Sequence, residues 1–128
     1  MPKQIDSIVL KGDKKPERKN LVLEFEEGDG VLSGIKQAMA DNGVRECDVV
    51  DVEGTLSTAT VNTMESSRFK KIDFANTKIL RASGHFKFSG GDLWGSMNVF
   101  TEGRKPISGT LVKASASHGF KLKLTFVP

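Results

Sequence analysis

The chain has 128 residues, 38% of them hydrophobic and 27% charged, which predicts one globular domain over residues 1–128 with a single core. No apolar run approaches the ~18 residues of a membrane-spanning helix, and Met-Pro-Lys-Gln-Ile-Asp lacks the apolar core of a secretory signal, so a cytoplasmic protein without a membrane partner is expected. The formal charge of +3 would favour a polyanion only if it were clustered, and the lone Cys47 excludes an internal disulfide and a multi-thiolate zinc site.

From the N-terminus, Ile5 to Leu10 reads as a short strand. Residues 11–20, KGDKKPERKN, carry five cations against two acids and read as a solvated hairpin or loop. Lys14, Lys15, Arg18 and Lys19 are nonetheless candidate nucleic-acid contacts. Leu21, Leu23 and Phe25 alternate with Val22, Glu24 and Glu26, the pattern of a strand with one buried face. One helix is expected over Val31 to Asn42, with Asp29 as its cap and Asp41-Asn42-Gly43 as its end. Its apolar face is Val31, Leu32, Ile35, Ala38 and Met39, and Gly34 within it would allow close approach to a sheet.

Cys47 to Val52 is β-rich, and Cys47 is expected to be simply packed. Gly54 marks a bulge or bend, Thr55 to Met64 resumes as a strand, and Arg68 to Phe74 is a separate strand candidate. Thr77 to Ala114 then reads as three consecutive strands. In the first, Leu80, Ala82, Gly84, Phe86 and Phe88 form one apolar side, with Ile79, Arg81, Ser83, His85 and Lys87 on the other. Ser89-Gly90-Gly91-Asp92 reverses the chain into Leu93 to Phe100, and Thr101 to Pro106 leads into Ile107 to Ala114. Phe120, Leu122, Leu124 and Phe126 alternate with Lys121, Lys123 and Thr125 in the cleanest amphipathic strand. The expected fold is α+β: a largely antiparallel, twisted sheet of about seven strands packed with one main helix.

No residue set identifies a reaction. His85 falls on a polar strand face and His118 in an Ala-Ser-His-Gly turn, so both read as surface residues. Asp48 and Asp51 point to opposite sides of one strand, and no carboxylate pair is evident. Gly103-Arg104-Lys105-Pro106 superficially matches a minor-groove Gly-Arg-Pro segment, but Lys105 interrupts it and Glu102 precedes it. It reads as a turn, with Arg104 and Lys105 kept as further nucleic-acid candidates. Trp94, Ser96, Asn98 and Phe100 share one strand face and, with Thr110, are a candidate pocket or subunit contact. Packing in the monomer core remains equally open for the aromatics.

Gly28-Asp29-Gly30 before the helix, Asn42-Gly43-Val44 after it, Glu53-Gly54-Thr55-Leu56-Ser57, and Ile79-Leu80-Arg81-Ala82-Ser83-Gly84 together resemble the plant- and prokaryote-conserved (PPC) domain. The resemblance spans roughly residues 21–127. It implies a compact α+β domain assembling as a homotrimer, DNA-associated by analogy and with protein partners unidentified. The family commonly carries His-x-His on the strand matching Leu93 to Phe100 and Gly-Gly-His on that matching Ile107 to Ala114. Here Trp94, Ser96 and Asn98 occupy the first and Ser108-Gly109-Thr110 the second. These are poor zinc ligands, so no cofactor is expected, while Gly84, Gly95 and Gly109 imply that close backbone packing is kept.

Two readings follow. The first is a non-enzymatic PPC-like homotrimeric module with a DNA-binding or regulatory role, aided by the Lys121 and Lys123 face. The alternative is a small-ligand binder or a metal-dependent lyase related in fold to acetolactate decarboxylase, weakened by the missing histidines.

Overall fold

The computed structural model describes the backbone of residues 2–10 and 17–128, and side chains at residue 2 and residues 17–128. The elements run β1 (Lys3–Leu10), β2 (Arg18–Glu24), α1 (Val31–Asp41), β3 (Glu46–Glu53), β4 (Thr55–Glu65), β5 (Arg68–Ser89), β6 (Asp92–Thr101), β7 (Ser108–Ala116) and β8 (Lys121–Phe126). The strands form one sheet in the order β1-β2-β8-β3-β5-β4-β7-β6, and β5 also pairs with β6. Each of these pairings is antiparallel. The α+β expectation stands, with eight strands among the described residues. No helix there is long and apolar enough to cross a membrane.

Two of the expected strands are in fact one. Arg68 to Phe74 and Ile79 to Phe88 belong to the 22-residue β5, which changes partner along its length. Residues 68–78 pair with β4, whereas residues 79–89 pair with β6 and residues 84–87 also pair with β3. Near the end of the first half, three residues before the change of partner, Asn76 takes a left-handed conformation, φ 49°. Asparagine is among the few side chains that tolerate that region, so the strand bends there without breaking. The bend closes a ring in which β4 pairs β5, β5 pairs β6, β6 pairs β7 and β7 pairs β4.

A bulge between Ile79 and Arg81 resets the alternation of β5. Ile79 is therefore buried at 1% exposure and Leu80 is 45% exposed, the reverse of the strict period-two expectation. Beyond the bulge the expectation holds, with Ala82 and Phe86 buried and Arg81, Ser83, His85 and Lys87 exposed. The Gly90-Gly91 reversal is as expected, both residues at positive φ (61° and 81°). Gly54 lies in the bend between β3 and β4, and the charged stretch gives its residues 18–20 to β2 instead of a loop.

The helix buries Val31, Gly34, Ile35, Ala38 and Met39 against the sheet. Its C-terminus closes as read from Asn42-Gly43: Val44 N–H donates to Met39 O at 2.9 Å and Gly43 N–H to Ala40 O at 3.4 Å, with Gly43 at φ 64°. Its N-terminus differs from expectation. Gly30 is the N-cap and no side chain caps it. The Asp29 carboxylate instead accepts from Glu26 N–H at 2.9 Å within the preceding turn. A Cβ at Gly34 would stand 2.6 Å from Phe25 Cε2, so the missing side chain sets how closely the helix lies on Phe25. Phe25 meets Phe120 edge-on with centroids 5.6 Å apart, and burying each ring stabilises the core by about 1.5–3 kcal/mol.

Gly84, Gly95 and Gly109 are constrained by neighbouring backbone. A Cβ would strike Ser96 O at Gly84, His85 O at Gly95, and Asn62 O, 2.5 Å away, at Gly109. Gly95 is also at φ 114°. Gly95→Ala therefore combines a strained dihedral with a collision against β5, and urea denaturation should show a loss on the order of 2–4 kcal/mol.

Candidate functional site

The face of β5 and β6 turned away from the buried core carries the candidate residues. Alternation places Trp94, Ser96, Asn98 and Phe100 in a row along β6, opposite Lys87, His85, Ser83 and Arg81 of β5. Thr110 of β7 lies in register with Asn98. Alternation thus puts the five candidate pocket or contact residues on one strand face, but they share no depression: Asn98 and Phe100 line one, and Trp94 lines another with Leu32, Ser33 and Lys36 of α1. Trp94 is 60% exposed, with only its Nε1–H donating to Ser89 O at 3.3 Å, so it is not a core residue of this chain. Phe100 lies beneath the Arg81 guanidinium, 4.6 Å from Cζ to ring centroid. Val50, Arg81, Ser83, Asn98, Phe100 and Ser108 bound an open depression of about 420 Å³.

Beside this row lies a cluster that sequence reading missed. His85 Nδ1 is 2.7 Å from Asp48 Oδ1 and its Nε2 is 2.7 Å from Glu46 Oε1. Asp48 Oδ2 also accepts from Arg18 Nη2 at 3.0 Å, and Arg18 Nε donates to Thr125 Oγ1 at 3.2 Å. With a carboxylate at each ring nitrogen, imidazolium is the form that donates to both. These hydrogen bonds, that to Asp48 first and that to Glu46 second, raise the His85 pKa above its ordinary 6.5. The hydrogen bond from His85 likewise lowers the Asp48 pKa, aided by Arg18 and opposed by partial burial. The available signal was Glu46 and Asp48, two apart and so on one strand face. Their partner lies 37 to 39 residues further on, and only the β3–β5 register brings it opposite.

Among the described residues, the candidate nucleic-acid contacts Arg18, Lys19, Arg104 and Lys105 do not form one patch. Lys14 and Lys15 lie outside the described residues. Arg18 is committed to Asp48, and Lys19 is partly buried opposite Phe126. Arg104 and Lys105 are exposed in the β6–β7 turn, as expected for a turn, with β8, β3 and β5 between β2 and β6. The Lys121 and Lys123 face is offset by acids: Lys121 lies opposite Glu24 and Glu53, and Lys123 opposite Asp51. Cys47 is buried, as expected, and burial, helped by Asp48, pushes its thiol up to about 12. It is protonated at neutral pH and not poised as a nucleophile. His118 sits in an exposed turn where its N–H donates to Glu27 Oε2 at 2.8 Å.

The positions that would match the family's histidines offer only neutral oxygen and amide groups. The Thr110 hydroxyl donates to Asn98 Oδ1 at 2.8 Å, so the two side chains satisfy each other, and Ser96 lies opposite a His85 whose nitrogens are both engaged. This donor set does not fit a zinc ion. No group of three or more His, Cys, Asp or Glu residues suited to a metal occurs among the described residues.

The His85 cluster makes stability pH-dependent in two senses. The folded pKa of His85 is raised, so its contribution is full below about pH 6.5 and is lost as pH rises through the raised value. The folded pKa of Asp48 is lowered, so its contribution is full above its ordinary 3.8 and is lost as pH falls through the lowered value. The stability advantage of wild type over His85→Asn, measured by urea denaturation, should shrink from mildly acidic to alkaline pH. A constant difference would mean that His85 is not held as imidazolium.

Solved structures share this fold. A "Putative DNA-binding protein" from Ralstonia eutropha JMP134 superposes with a TM-score of 0.68 at 18% identity, covering 94% of this chain and 82% of that one. A plant- and prokaryote-conserved protein from Pyrococcus horikoshii gives 0.69 at 15% identity, covering 100% and 82%. A metal-containing protein from Archaeoglobus fulgidus gives 0.70 at 13% identity, covering 84% and 78%. No functionally curated protein matches the chain. The sequence profile of the Plants and Prokaryotes Conserved (PCC) domain matches residues 12–123, nearly the whole length, and the chain belongs to that family, also written PPC.

Proposed function

We propose that this chain is a non-enzymatic PPC module that assembles as a homotrimer and acts at DNA in a regulatory role. The observation that carries the assembly part is the outer face of β6. A 60% exposed Trp94 stands there in line with Phe100, which borders a shallow depression with the 48% exposed Val50. A large aromatic left in water on a sheet face suits a subunit contact, where such side chains act as anchors. The DNA part is supported by family membership and by similarly folded structures from Ralstonia eutropha and Bacteroides thetaiotaomicron, each described as a "putative DNA-binding protein".

The non-enzymatic part is supported by how the polar groups are spent. His85 is held between two carboxylates, Asp48 is shared with Arg18, and the Cys47 thiol is protonated and buried. None of these groups is poised to exchange a proton or attack a substrate.

Light scattering should give three times the 13.9 kDa chain mass. Trp94→Ala should yield a folded chain of lower mass, because the side chain contributes little to the monomer core. A monomeric wild type would remove the assembly part, and a broadly unfolded Trp94→Ala would assign the residue to the fold. Metal analysis of the same sample should find no stoichiometric zinc, and a chelator should leave mass and Tm unchanged. Bound zinc, or a Tm that falls on chelation, would favour the lyase-related reading.

A further inference from the structure

The β4–β5 hairpin runs past the rest of the sheet. Its last rung shared with β7 is Asn62 opposite Thr110, and residues 63–70 continue as a two-stranded ribbon. Three further pairs, Thr63 with Lys70, Met64 with Phe69 and Glu65 with Arg68, extend it by about 10 Å. Ser66 and Ser67 close the tip with φ of 50° and 66°, a pair of left-handed residues where glycine or asparagine is favoured. At this tip Phe69 is 77% exposed, the largest value among the exposed large hydrophobic residues, and its direct partner Met64 is 60% exposed.

The charge around this apolar pair is concentrated. Residues 64–71 hold Arg68, Lys70 and Lys71 against Glu65 alone, a net +2 in a chain whose formal total is +3. Lys70 contacts Glu65 at 3.5 Å, whereas no ion pair engages Arg68 or Lys71 among the described residues. Alternation puts Lys71 on the face of Phe69 and Met64, and Arg68 and Lys70 on the opposite face. Apolar side chains at the end of a ribbon with cations on both faces suit a polyanion that also offers flat apolar surface. Duplex DNA does so: proteins wedge Phe and Met between base steps from the minor groove, with basic side chains on the flanking phosphates.

We infer that the β4–β5 ribbon is the DNA-contacting arm of this chain, with Phe69 and Met64 as the wedge at a base step and Arg68, Lys70 and Lys71 on phosphates. This rests on the DNA reading above and names its site. It differs from the three cation groups singled out in the sequence: residues 14–19, Arg104-Lys105, and the Lys121 and Lys123 face.

The test is the affinity of the full chain for a short labelled A·T-rich duplex across a salt series. Wild type should bind with affinity falling steeply as salt rises. Phe69→Ala with Met64→Ala should weaken binding about ten-fold or more at an unchanged salt slope, because apolar contact is lost without loss of charge. Phe69→Tyr should retain binding and control for folding. Arg68→Ala with Lys71→Ala should reduce the slope of log K against log salt by roughly 2. If these variants bind like wild type, the arm is not the DNA contact, although the chain still acts at DNA. If wild type does not bind even at low salt, the DNA reading and this inference both fall. If Phe69→Ala lowers the solution mass, the ribbon is instead a contact between copies, and the inference is overturned.

Discussion

Strand β5 is the constraint through which the remainder of the sheet is arranged. It gives its first half to β4 and its second half to β6 and β3, and it can do so because one left-handed residue, Asn76, redirects it. Backbone hydrogen bonds have to be satisfied along all of its 22 residues, so the bend forces the sheet to close into the β4–β5–β6–β7 ring. Closure brings β6 and β7 together and makes Asn98 and Thr110 neighbours. The same strand leaves the β4–β5 ribbon standing beyond β7 and carries the bulge that sends Ile79 into the core and Leu80 out.

The charges of the outer face are paired across strands. His85, Asp48, Glu46 and Arg18 bridge strands β2, β3 and β5, and each charge meets an opposite one within hydrogen-bond distance. Such a network ties β2, β3 and β5 together by side chains as well as by backbone. Next to it the surface is partly aromatic, with cations beside the rings: Trp94 opposite Lys87, the Asn98–Thr110 pair, and Phe100 beneath Arg81. A face of this composition suits recognition by contact. Asn98 and Thr110 bond to each other on this face, and beneath it the backbone packs closely around Gly84, Gly95 and Gly109.

Local signals were legible where the cause is local. The helix, its Gly43 terminus and the Gly90-Gly91 turn follow from neighbouring residues alone. So does the alternation from Phe120 to Leu124, with Leu122 and Leu124 buried and Lys121 and Lys123 half-buried, but Thr125, expected on the polar side, is buried at 8% exposure. The expectation for Asp29 failed because its carboxylate found a closer amide in its own turn, at Glu26. The period-two reading of Ile79 and Leu80 failed because a bulge adds a residue on one strand only, and that depends on the partner strand. The separation of Arg68 to Phe74 from the strand read as starting at Thr77 failed because the pairing to β4 runs on through Ala75, Thr77 and Lys78.

The sequence by itself determined the family, the α+β class, the one helix with its buried stripe, and the absence of histidine from β6 and β7. Those features are carried by residue identity and short-range spacing. Only the tertiary structure decided that Trp94 is exposed, that Arg18 is spent on Asp48, and that His85 is clasped by two carboxylates. It also decided that Phe69 and Met64 face solvent at the tip of a basic ribbon. Each of these depends on which strand lies beside which, and in an antiparallel sheet closed by long-range pairing, registers between residues tens of positions apart are set by packing of the whole.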